Sequence, residues 1–311
     1  MANETKMVIL TPHVHVFHID DGADSHPGGS NNYFVGDPKE EMLLIDTGDH
    51  KRVWTDALLQ AWRDLGSPKI TAILITHGHA DHYGGLDRVW DAMHAPVRAH
   101  PKMSKILKDL VPEDALKPLK NNEVLRTGGG VSLKAIFTPG HAIDHTCFYF
   151  AKEKVLFTGD TILGSSSATM SDLKSYMKSL EKLSHLGHES IASAHGALIP
   201  APRGKRLVQV YIGHRTEREQ QVVASLQKGL STVDEMLKDI YPKNLKKGLR
   251  ESAKRNIRNH LDKLMKEGKV AESQPTYALG SASAKKAASK NGAGRANGKA
   301  PAKAKASAGK K

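Results

Sequence analysis

The sequence predicts an α/β layered unit over residues 1–230, a winged-helix-like unit over 231–280 and a basic tail over 281–311. Three observations predict this. Short β-branched runs alternate with helically spaced apolar residues through the first 230 positions. Residues 231–279 then read helix, turn, amphipathic basic helix and hairpin. The last stretch carries nine basic residues, no acidic ones and no aromatic, so it has nothing to bury and is expected to be disordered.

The elements follow in order. Val8–Ile19, Asn32–Val35 and Met42–Ile45 read as strands, the latter two stopped by Gly36 and Gly48. Lys51–Leu65 has helical spacing and ends at Gly66-Ser67-Pro68. Ala72–Thr76 is a compact apolar strand of the buried kind, Leu86–Met93 a helix and Pro96–Ala99 a short strand. Glu123–Arg126 and Val131–Phe137 form a hairpin across three glycines, and Thr146–Phe150 and Val155–Thr158 are further strands. Ser171–Leu186 is a helix with Ser171 as its expected N-cap. Ile191–Ala194 is the last strand before a long helix over Lys205–Lys228.

Beyond it, Thr232 and Glu235 have the spacing of a capping box, and Pro242 breaks the short helix they open. Arg250–Lys266 places Ala253, Ile257, Leu261 and Leu264 on one face, with Lys254, Arg255, Arg258 and Lys266 outside it. A hairpin over Gly268–Leu279 closes the unit.

The formal net charge is +13, from 46 Lys and Arg against 33 Asp and Glu, but its distribution is uneven. Residues 231–279 hold eleven basic and seven acidic residues, and the first 230 balance at 26 of each. No apolar run reaches the length that spans a bilayer. The polar start is neither a secretory h-region nor a transit peptide, and Cys147 is the only cysteine. A reducing, cytoplasmic setting is the expectation.

Histidine is the outlier: sixteen of seventeen lie in the charge-balanced region. The densest cluster is Thr76-His77-Gly78-His79-Ala80-Asp81-His82-Tyr83-Gly84-Gly85, at the end of a buried strand. Four potential ligands in six residues do not fit one tetrahedral ion without strain, but they divide between two. His77 and His79 serve one, and Asp81 and His82 the other. Gly84 and Gly85 are read as letting the backbone turn back towards the helix. Further ligands must come from other strand ends, where His141, Asp160 and His195 stand in matching contexts.

This set resembles the metallo-β-lactamase superfamily, with His-x-His-x-Asp-His followed by a His, an Asp and a last His across residues 8–215. The resemblance implies an αβ/βα sandwich with two metals, most often zinc, with manganese or iron as alternatives. His77, His79 and His141 would hold one ion, Asp81, His82 and His195 the other, and Asp160 would bridge. Asp46, in Leu44-Ile45-Asp46-Thr47-Gly48, matches the residue that orients the metal loop.

Ser30-Asn31-Asn32-Tyr33, Asp144-His145 and Tyr211-Ile212-Gly213-His214-Arg215 with Arg218-Glu219-Gln220-Gln221 are similar to the lactamase-beta-two-like hydrolases. That group also carries a C-terminal winged-helix-like unit and implies single-strand-selective endoribonuclease activity. Gly78 and Ala80 depart from its usual Trp and Arg, and Ala194 and Ala197 from its prolines.

The resulting expectation is a dinuclear zinc hydrolase acting on single-stranded RNA. Asp81 is a catalytic residue. His145 is either a positioning donor or an acid near the leaving group. His214 and Arg215 are candidate substrate contacts; a solvated helix face with Arg215 paired to Glu219 is the plainer account of them. Cys147 is expected to pack within its strand. A thioester hydrolase, of the glyoxalase II or acyl-CoA and carrier-protein type, shares the whole metal set. A β-lactamase is disfavoured by the lack of an export signal, and a β-CASP nuclease by the lack of an insertion between Asp160 and His195. A purely nucleic-acid-binding protein would leave seven ligands idle.

Overall fold

A computed structural model describes residues 4–20, 28–164, 168–273 and 276–279, so the tail expected to be disordered lies outside the described residues. Two sheets form the body. The first has six strands in sequential order: β1 (Glu4–Thr11), β2 (Val14–Asp20), β3 (Ser30–Gly36), β4 (Glu41–Ile45), β5 (Lys69–Leu74) and β6 (Val97–Arg98). The second runs β7 (Val124–Thr127), β8 (Val131–Phe137), β9 (Thr146–Phe150), β10 (Val155–Gly159) and β11 (Ser190–Ser193) from one edge to the other.

Alternation along the strands explains why the sheets stack. In β4, Leu43 and Ile45 face the second sheet, while Met42 and Leu44 face helices on the outside. In β10, Val155 and Phe157 meet the first sheet, and Leu156 points outward. Helices α1 (Arg52–Asp64), α2 (Ala80–Tyr83), α3 (Leu86–Met93) and α4 (Ser104–Leu107) belong to the first half of the chain. Helices α5 (Leu173–Ser184) and α6 (Gly204–Gln227) cover the outer face of the second sheet, through Leu173, Tyr176, Leu180, Leu183 and Val208. The result is the helix–sheet–sheet–helix sandwich, followed by the winged helix: α7 (Val233–Ile240), α8 (Lys247–Lys266), β12 (Val270–Ser273) and β13 (Thr276–Leu279).

Two expectations are corrected. Val8–Ile19 is not one strand: the chain reverses at Pro12-His13 and β1 pairs antiparallel with β2. Proline has no amide to give a ladder, so the run folds back there. Helix α5 is capped by Asp172, whose Oδ1 accepts from Ser175 N at 2.8 Å. Ser171 instead donates from both its backbone N–H (2.8 Å) and its hydroxyl (3.1 Å) to Gly140 O, tying the helix to the loop of His141. Gly84 and Gly85 stand where the chain passes from α2 to α3, with negative φ. A Cβ at Gly84 would lie 2.4 Å from His50 N, and one at Gly85 2.6 Å from Thr47 O, so close approach requires them.

The capping box at Thr232 and Glu235 forms as expected. Ala253, Ile257, Leu261 and Leu264 are all buried in the winged-helix core, with Val222 and Leu226 of α6. Cys147 packs under α5 and α6, and burial pushes its thiol up to about 11. Lys266 pairs with Asp172, and Asn259 Nδ2 donates to Met170 O at 3.3 Å, so α8 sits against the start of α5. No helix among the described residues is long and apolar enough to cross a membrane.

Candidate metal centre

Strand ends from both sheets meet at one edge. Asp46 follows β4 with a left-handed φ of 59°, a conformation Asp tolerates better than most residues. It is 2% exposed and acts only as an acceptor. Thr76 N–H, Thr76 Oγ1 and His82 Nδ1 each donate to its carboxylate at 2.8 Å. The loop after β5 is therefore anchored near its start, at Thr76, and at His82.

Two clusters result, one of His77, His79, His141 and Asp160, the other of Asp81, His82 and His195. In the first, His77 Nε2 is 2.9 Å from His79 Nδ1 and 3.2 Å from His141 Nε2, and His141 Nε2 is 3.0 Å from His79 Nδ1. In the second, His195 Nε2 lies 3.2 Å from Asp81 Oδ2 and 3.4 Å from Asp160 Oδ1. His82 Nε2 is 3.6 Å from both carboxylates. Asp160 spans the clusters, with Oδ2 at 3.5 Å from His141 and Oδ1 towards His82 and His195.

The donor chemistry fits metal ions. His141 Nδ1 donates to Thr169 O at 2.8 Å, His195 Nδ1 to Ser30 Oγ at 3.0 Å and Gly29 O at 3.3 Å, and His82 Nδ1 to Asp46. His77 Nδ1 donates to Thr76 Oγ1 at 3.1 Å, since that hydroxyl's own hydrogen goes to Asp46. Each of these rings then turns an Nε2 lone pair inward. Lone pairs facing one another at 3.2 Å repel unless a cation lies between them. Ligand atoms on a tetrahedral ion with bonds of ~2.0–2.1 Å are themselves about 3.3 Å apart. His82 Nε2 and Asp160 Oδ1 are buried without a hydrogen-bond partner among the described residues. Burial lowers the affinity of His77 and His141 for protons, as a ligand requires. Burial also opposes charge on His82, but Asp46, Asp160 and Asp81 outweigh it and push His82 up to about 10, a measure of how strongly the carboxylates draw positive charge.

His145 is fully buried and lies behind this centre. Its Nε2 accepts from Asp160 N–H at 3.1 Å and its Nδ1 donates to Thr138 Oγ1 at 2.9 Å. Both ring nitrogens are thus engaged within the protein.

The sandwich, the six-strand and five-strand sheets and the seven converging ligands decide the family together with the sequence matches: residues 26–195 match the Metallo-beta-lactamase superfamily and 232–276 the Beta-lactamase associated winged helix domain. The chain belongs to the metallo-beta-lactamase superfamily. It is a hydrolase of that superfamily with a His/Asp metal site. It is 34% identical to the Beta-lactamase-like protein 2 homolog of Drosophila melanogaster, covering 81% of this chain and 90% of that one. It is 35% identical to an Atrochrysone carboxyl ACP thioesterase of Aspergillus chevalieri, covering 68% of each. The chain spans only 60 or 61% of several other curated relatives. A metallo-beta-lactamase family protein from Thermus thermophilus shares the fold, with a TM-score of 0.66, 23% identity and coverage of 87% and 100%.

In this metallo-beta-lactamase fold member, Arg215 is not on a solvated face. It is 3% exposed, donates from Nη2 to Ala168 O at 3.2 Å and lies over the Tyr176 ring. Its expected partner Glu219 pairs instead with Lys263 at 2.7 Å. His214 is exposed on the same turn, and both line a cavity of about 320 Å³ in the crease between α6 and α8. Sequence reasoning missed Thr76 and Thr169, which orient His77 and His141. Thr76 directly precedes the metal loop, a signal of position; Thr169 acts through its backbone and leaves none. At the departing position Gly78, a Cβ would stand 2.7 Å from Asp144 Oδ2, so a larger side chain there requires that carboxylate to turn aside.

Proposed function

We propose that the chain is a dinuclear, zinc-dependent endoribonuclease acting on single-stranded RNA, with a catalytic unit over 1–230 and a winged-helix unit over 231–280. The observation that carries the reading is the basic crease beside the metal centre: Thr169, whose carbonyl holds His141, also lines the cavity with Arg215, Arg218 and Arg255. A phosphodiester substrate brings the opposite charge to that wall.

In this reading His77, His79 and His141 hold one ion, Asp81, His82 and His195 the second, and Asp160 both. Bound there, two divalent ions supply Lewis acidity and lower the pKa of water to near neutrality. The chain's own residues do the positioning. Asp46 fixes the tautomer of His82, and Thr169, Ser30 and Gly29 fix those of His141 and His195. Asp81, partly buried and 3.2 Å from His195, is the carboxylate we assign to face the reacting water and take up its proton. His145 keeps Asp160 in place through the backbone.

A second reading, thioester hydrolysis, is favoured by the thioesterase relative's name and by an apolar rim. Ile143 is 63% exposed and Ile106 is 38% exposed, the latter close to Gly78, where an acyl chain would pass. The test offers metal-quantified protein single-stranded RNA, double-stranded RNA, a glutathione thioester and an acyl-CoA side by side, with Asp81→Ala as the inactive control. Rapid turnover of single-stranded RNA alone supports the first reading; thioester turnover with intact RNA replaces it by the second.

A further inference from the structure

The cavity between α6 and α8 has a charge imbalance that the metal chemistry does not use. Three guanidinium groups line it, from Arg215, Arg218 and Arg255, and no carboxylate among the described residues does. Guanidinium stays charged at any accessible pH. Glu219, on the same helix, is committed to Lys263 on α8 and cannot neutralise them.

Arg218 is the most informative of the three. Its guanidinium carbon lies 4.2 Å from the Tyr241 ring centroid, so the plane is held against an aromatic face. Its Nε and Nη1 are buried without a hydrogen-bond partner among the described residues. Buried donors without partners are costly and rare in native proteins, and a planar guanidinium held against an aromatic ring has the donor geometry that pairs with two phosphoryl oxygens once its edge is uncovered. Asn256 donates to Tyr241 Oη at 3.3 Å, which steadies the platform, and Arg255 completes the wall from α8. Leu245 and Met170 add apolar surface to the lining, suited to the remainder of a nucleotide.

We propose that this cavity is a phosphoryl-binding subsite of the substrate groove, with Arg218 and Arg255 as its anion contacts and Tyr241 as the support of Arg218. It rests on the reading that the substrate bears phosphate, and it assigns the winged helix a direct part in holding that substrate. The scissile group lies at the metal centre, and the phosphoryl group held here is a separate one in the same molecule. In RNA it is a neighbouring phosphodiester; in coenzyme A it is the ribose phosphate.

The test uses the full chain, metal-loaded, with two probe pairs. One is a short single-stranded oligoribonucleotide in which an uncharged methylphosphonate replaces each phosphodiester in turn; the other is coenzyme A against its 3′-dephospho form. Binding is read by calorimetry for the parent, Arg218→Met, Arg255→Gln and, as a control for overall charge, Arg206→Gln on the exposed start of α6. One methylphosphonate position is expected to weaken parent binding by about 10- to 100-fold, the range for a lost charged hydrogen bond, and to have no effect in Arg218→Met or Arg255→Gln. Arg255→Gln keeps the test valid if Arg218→Met loosens the Tyr241 contact. If only the coenzyme A pair behaves this way, the subsite stands and the RNA reading falls. If neither arginine variant changes either probe by more than about twofold relative to Arg206→Gln, the subsite is overturned, whatever the metal centre hydrolyses.

Discussion

At the scale of single residues, the metal centre is held by acceptors as much as by ligands. Among the described residues, Asp160 is the carboxylate with an oxygen towards each cluster. Replacing it by Ala is expected to lower the occupancy of both ions, whereas His141→Ala empties mainly one. Elemental analysis of freshly prepared variants checks this, and full retention of one ion in the Asp160 variant would argue against a bridge. His145→Ala should cost about 10–100-fold in metal affinity or activity, as for a residue that acts through a ligand. Asp81→Ala should be much more severe; a metal-replete His145 variant as inactive as Asp81→Ala would assign the proton transfer to His145. The seven side chains of the two clusters were legible in the sequence because imidazoles and carboxylates at strand ends are chemically conspicuous. What the threonine and glycine carbonyls around them do was not, since a backbone acceptor can belong to any residue.

At the scale of elements, two contacts carry consequences. Gly140 has φ of 145°, and a Cβ there would fall 2.4 Å from Tyr176 Cα, so α5 presses directly on the loop that presents His141. Gly140→Ala is expected to displace that loop and reduce metal binding at His141, with the far cluster less affected; metal content and thermal stability of the variant test it. The α6–α8 seam gives a pH dependence. His260 beside it and the ammonium of Lys263 hold Glu219 at about 2, against an ordinary value of 4.5. Its depressed value means that the stabilisation is present above about 4.5 and is lost as pH falls towards 2. His260 itself is fully buried, and burial, with Arg215 and Lys263 nearby, lowers it from 6.5 despite Glu219, so its contribution already declines below 6.5. Glu219→Gln should remove the lower part of the acid transition, measured as melting temperature from about pH 7 to about pH 3. The helices themselves were legible from periodicity. Their caps were less so: Ser171 and Asp172 both qualify as N-caps, and only the proximity of Gly140 O assigns Ser171 elsewhere.

At the scale of the whole molecule, charge is graded along the chain, and nine basic residues without acidic ones lie in 281–311. Removing that stretch is expected to leave metal content and hydrolysis of short substrates unchanged and to weaken binding of long nucleic acid at low salt. The difference should fade near ~0.5 M salt, where screening acts over only a few ångströms. A salt titration of RNA binding for the full and shortened chains decides this, and a loss that persists at high salt would require ordered contacts instead. The sandwich and the winged helix were legible as pattern, but their relation was not. The seam between them is made of long-range pairs such as Lys266 with Asp172, which no local window contains.

Helix α6 runs 24 residues, about 36 Å at 1.5 Å per residue. Val208 near its start is buried under the second sheet, and Val222 and Leu226 near its end are buried among the winged-helix residues. One rod therefore serves as a wall of two hydrophobic interiors. Cutting the chain at 230 would strip the far end of its apolar cover, so the C-terminal unit is not an interchangeable cassette. It cannot be transplanted without the second half of α6, and the two units are expected to melt in a single cooperative transition by calorimetry.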